Sequence, residues 1–65
     1  MTAIDKIKKA ASHQPTPMIL VALRSIGGSR LSQGYIRTVR AGLIELIAER
    51  HGSDAADEIM DEIGM

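Results

Sequence analysis

Apolar residues recur along this chain at helical spacing in four stretches, separated by proline and glycine. From about Thr2 to Ser12, Ile4, Ile7 and Ala11 share one face while Lys6, Lys8 and Lys9 take the rest. Thr2 with Asp5 three residues on resembles a capping box, and His13-Gln14-Pro15 stops the helix. The second stretch opens on Thr16 as N-cap and Pro17 at the first helical position. Met18 to Leu23 and Ile26 then make it apolar nearly all round, which predicts a central core helix. Gly27 and Gly28 are expected to close it in left-handed conformations.

The third stretch, Ser32 to about His51, is the longest. Ser32 caps it, and Leu31 with Ile36 forms a hydrophobic-staple pair. Tyr35, Ile36, Val39, Leu43, Leu46 and Ile47 span an arc of roughly 120° at helical spacing. Gln33, Arg37 and Arg40 form a polar face on its first half, and Ile44 and Ala48 continue that face as apolar residues. The second half is therefore expected to be buried on two sides. Gly34 and Gly42 each cost about 1 kcal/mol against alanine inside a helix, so each needs a close neighbour, a break or a ligand. In the fourth stretch, Ser53 to Ile63, Ser53 is the expected cap. Ala55, Ala56, Ile59, Met60 and Ile63 face one way, and five acids face the other.

The expected fold is thus all-α: a small bundle of about four short helices, residues 1–65 forming one domain. One longer central helix and a helix-turn-helix-like hairpin stand in the middle. With 65 residues and no cysteine, stability is marginal and no disulfide or thiolate metal site can add to it. Further burial against a second copy is expected, through Ile44, Ala48, Ile59, Met60 and Ile63. Met18 and Met60 read as core filler, and Met65 as part of an adaptable surface.

Charge changes the picture, because a net charge of zero hides a split. Met1 to Gly42 holds seven basic residues and one acid, a net +6. Leu43 to Met65 holds one basic residue and seven acids, a net −6. A polyanion-facing part joined to an acidic part is one reading. The acidic helix has three: a solvated face, a partner for the basic segment, or a mimic of a nucleic-acid backbone.

The candidate chemistry follows from that split. Gln33, Arg37 and Arg40 fall within about 60° of one another, and such side chains can bond adenine and guanine edges. The amides at the start of that helix suit a phosphate. The layout is that of a helix-turn-helix with its second helix in the major groove, although the link from Gly27 to Leu31 is long for the simplest form. Arg30, Lys6 and Lys9 are the candidate phosphate contacts. The competing reading is a helical hairpin with a solvated basic face. Gly27-Gly28-Ser29-Arg30 reads as an anion nest or, more simply, as a helix stop.

Other classes are excluded on composition. Tyr35 is the sole aromatic, which leaves no platform for stacking single-stranded bases. His13 and His51 fall short of a three-ligand zinc set, and a chain this small has little room for a shielded catalytic pocket. Neither a cofactor, a metal, a small-molecule substrate nor an enzymatic activity is expected. The longest apolar run, Met18 to Leu23, is far short of a membrane span, and no secretory signal is read, so the expected location is cytoplasmic. Two functions remain: a small homodimeric regulator that binds double-stranded DNA, or a protein–protein interaction module with no nucleic-acid role.

Overall fold

The computed structural model describes residues 2–64. They form four helices and, among the described residues, no strand: α1 (Ala3–Ala11), α2 (Thr16–Ile26), α3 (Gln33–His51) and α4 (Ser53–Ile63). Each of the other three packs on α3. The Cα positions extend only 17 Å along the shortest axis, roughly two helix layers.

α1 starts on the expected capping box. The Asp5 amide donates to Thr2 Oγ1 at 3.1 Å, and the Thr2 amide donates to Asp5 Oδ2 at 3.2 Å. Thr2→Ala is expected to cost about 1 kcal/mol of stability, measurable as a lower urea midpoint. The Thr2 backbone N–H, and after it the Thr2 hydroxyl, hold the Asp5 carboxyl below its usual 3.8. A depressed folded pKa means that this contribution is complete above the unfolded value and disappears as pH falls through the folded one. Asp5→Asn should therefore flatten the acid limb of the stability profile below about pH 4.

α1 lies along α3 in the same direction. Ala3, Lys6 and Ile7 line one groove with Gly34, Tyr35 and Thr38, and Lys8 pairs with Glu45 and Glu49 further along. The two helices approach closely at Gly42. A Cβ there would stand 2.8 Å from Ile7 Cγ2, 3.0 Å from Ile7 Cβ and 3.3 Å from the Ile4 carbonyl oxygen. Close approach of α1 thus accounts for this glycine.

α2 runs back against α3. Its start is tied to the far end of α3: Thr16 Oγ1 lies 2.9 Å from His51 Nε2. Arg50 donates to the Gln14 carbonyl at 2.6 Å and to the Ser12 carbonyl at 2.8 Å, and reaches Thr16 Oγ1 at 3.5 Å. One guanidinium thereby holds the α1–α2 connection. Arg50→Ala should cost about 1.5 kcal/mol, the low end for hydrogen bonds from a charged donor because the site is exposed. Arg50→Lys, with one ammonium in place of a fork, should restore only part of the loss in the same urea unfolding series.

The core is built around α3. Ile19, Leu23, Leu43, Ile44, Leu46, Ile47 and Ala56 form one buried cluster, with Ile7, Ala11, Leu20, Val39, Ala48, Ile59, Met60 and Ile63 packed against it. As expected, the second half of α3 is buried on two sides.

Several expectations are corrected. α2 is not buried all round: only Ile19 and Leu23 are buried, while Met18 and Val21 are more than half exposed. Met18 is therefore not core filler, because a two-layer body leaves the outer side of α2 uncovered. The N-cap of α2 is Pro15, and the Thr16 hydroxyl serves His51 and Arg50 instead. Gly27 closes α2 in a right-handed conformation (φ −62°), not a left-handed one. Gly52, with φ 95°, is the cap between α3 and α4, so Ser53 lies inside α4. Its positive φ is the turn that folds α4 back on α3. Leu31 remains about half exposed while Ile36 is buried. Met65 lies outside the described residues.

Candidate nucleic-acid interface

The first turns of α3 project beyond the shared core. Ser32 is the cap, its Oγ accepting from the Tyr35 amide at 3.2 Å. From Gln33 to Arg37 only Ile36 is buried. The amides of Gln33 and Gly34 precede the helix's own hydrogen bonds and are open to an outside acceptor. Gln33 and Arg37 are exposed on adjacent turns, and Arg30 is exposed on the connection before them. Among the described residues none of these is paired with an acid.

Arg40 is placed differently. It is half-buried, and its guanidinium fills the space that a side chain at position 27 would need: a Cβ on Gly27 would lie 2.5 Å from Arg40 Nη2. Its Nε is buried with no hydrogen-bond partner. A cation there favours the carboxy end of α2, where helix carbonyls carry partial negative charge. Arg40 is therefore turned onto α2 and not aligned in the open with Gln33 and Arg37.

The lysines of α1 divide by face. Lys6 borders an open groove of about 440 Å³ lined also by Ala3, Ile7, Gly34, Tyr35 and Thr38. Lys8 belongs to the fold: its hydrogen bond to Glu49, with the nearby charges of Glu49 and Glu45, raises its pKa above 10.5. Lys9 stands about 200° round α1 from Ile7, on the side away from α3.

Part of the charge split works inside the molecule. Lys8 reaches acids on α3, and Arg24 Nη2 reaches Glu62 Oε1 at 2.5 Å, joining α2 to α4. No salt bridge among the described residues links α4 to Arg37 or Arg40. Arg50, the one Lys or Arg of the acidic half, ties the end of α3 to the α1–α2 connection and to the first residue of α2. Its position in the last turn of α3 was the only sequence signal for it. At Gly27 and Gly28 no positive φ occurs, so the backbone alternation of an anion nest is absent.

The residues expected to meet a second copy are placed in this chain's own body. Ile44 is 8% exposed within the core cluster, and Ala48, Ile59, Met60 and Ile63 are partly buried against it. Ile44 thus packs within the core of its own chain, and of the five only the partly buried residues keep surface open to a second copy.

Fold and surface together define a small all-α body from which the capped, basic start of a long helix stands clear. No helix among the described residues is long and apolar enough to cross a membrane. Set against protein-family models, curated proteins and solved structures, the chain matches none.

Proposed function

We propose that this protein is a small DNA-binding regulator whose α3 enters the major groove through its amino-terminal turns. The observation that carries the reading is the exposure of Gln33 and Arg37 on a capped helix start, where Arg37 makes no ion pair with an acid among the described residues. Glutamine and arginine are suited to base edges, the open amides to a phosphate, and Arg30 and Lys6 to flanking phosphates. Duplexes selected from a randomised pool should yield a preferred sequence. Arg37→Ala should then weaken that sequence by about 1–3 kcal/mol while barely changing random DNA. An equal loss on every sequence would reduce Arg37 to a phosphate contact.

A second reading rests on a different observation. Met18, Val21, Leu31 and Tyr35 are each about half exposed, and large apolar groups left open suit a protein partner, including a second copy. In that reading the apolar side of α2 docks and α3 has no nucleic-acid role. A protein-docking role alone would leave the affinity for random duplex indistinguishable from zero at low salt.

A further inference from the structure

We infer that Arg40 is parked over Gly27 in the free protein and is released onto the phosphate backbone when a duplex binds. This rests on the DNA reading above and names the device that regulates the same surface. Three observations support it.

Gly27 is not required by the backbone. Its φ of −62° and ψ of −25° are ordinary right-handed helix, a conformation any residue adopts and alanine prefers. What glycine supplies here is room, and Arg40 Nη2 occupies that room. The parked guanidinium is also not fully satisfied. Arginine carries five N–H donors and no acceptor, and the Nε donor is buried without a partner. The seat is occupied yet leaves a donor unpaired, so a stronger acceptor can draw the side chain out. Finally, Arg40 lies on the same 60° arc of α3 as Gln33 and Arg37, at about 100° per residue. Once extended, it would join the exposed pair, and no acid among the described residues holds it back.

The apparent affinity is then reduced by the fraction of molecules whose Arg40 is parked. Gly27→Ala places a methyl group where the guanidinium rests and should expel it. The test compares the parent protein with Gly27→Ala, Arg40→Ala and the double variant, each first checked for folding by circular dichroism. Modification of Arg40 by a dicarbonyl reagent, read by mass spectrometry, reports its release without DNA. Titration with a random-sequence duplex reports its use.

Gly27→Ala should raise Arg40 reactivity and tighten binding by about 3–10-fold with an unchanged salt slope. Arg40→Ala should weaken binding and flatten the salt slope by about one unit, and the double variant should match it. Unchanged Arg40 reactivity in Gly27→Ala would overturn the parked seat. Equal tightening in Gly27→Ala and the double variant would overturn the role of Arg40. Increased reactivity with no duplex binding by any form would leave the seat standing and overturn release onto DNA, together with the DNA reading itself.

Discussion

Ile47→Ala is expected to leave the protein largely unfolded at room temperature. Ile47 is fully buried at 0% exposure, in the stretch of α3 where Leu43, Ile44 and Leu46 are also buried. Truncating a buried isoleucine to alanine costs about 2–5 kcal/mol, the loss of transfer energy plus the cavity left behind. A core in a chain this small rarely supplies more than about 3–5 kcal/mol in total. The two quantities are of the same size, so one substitution consumes most of the stability. Far-ultraviolet circular dichroism should show weak helicity and no cooperative melt. A sharp transition within a few degrees of the parent would mean that α3 is not the organiser of the core.

The second large effect contrasts two glycines in one helix. At Gly42 a methyl group would strike Ile7 through both Cγ2 and Cβ and approach the Ile4 carbonyl. Rotating the Ile7 side chain cannot relieve this, because its Cβ is fixed to the α1 backbone. Gly42→Val must push α1 away from α3, at a cost of roughly 3 kcal/mol, the upper end for overpacking. At Gly34 a Cβ would meet nothing within 4 Å. Gly34→Ala should therefore stabilise by about 0.5 kcal/mol, toward the low end for a compatible glycine because Gly34 is the second residue of α3. Urea midpoints for the two variants should move in opposite directions. Movement in the same direction would contradict the close crossing of α1 at Gly42.

Helix existence was legible in this chain because the apolar spacing, Ser32, Pro17 and the glycines all point the same way. The Thr2–Asp5 cap is formed by the pair of residues that suggested it. The assignment of α3 as organiser followed from its wide apolar arc, which needs more than one neighbour. Boundaries shifted by one residue at α2 and α4 for a local reason. At α2 the Thr16 hydroxyl has a better use at the end of α3, and at α4 the positive φ of Gly52 makes the glycine itself the cap.

Coverage was not legible. An all-round apolar α2 looks central, but periodicity does not record how many neighbours a helix will find. Here α2 meets the core on one side only, and Met18 and Val21 remain open. The same gap bears on Ile44, whose face the pattern assigned to a further neighbour and which lies in the core cluster of this chain. At the candidate site, the exposure of Gln33 and Arg37 agrees with the polar face read from their spacing. The inward turn of Arg40 depends on Gly27, thirteen positions earlier and capping another helix. No pattern along a single helix carries that contact. Arg50 was missed for a related reason: its partners are main-chain carbonyls, and every residue type supplies those.

Titration of the protein into a random-sequence duplex across a range of salt concentrations tests the central claim most directly. The account predicts micromolar binding at low salt, with log K falling against log salt at a slope of roughly −3, as expected for three to four phosphate contacts. A well-folded protein that shows no binding at low salt would contradict it.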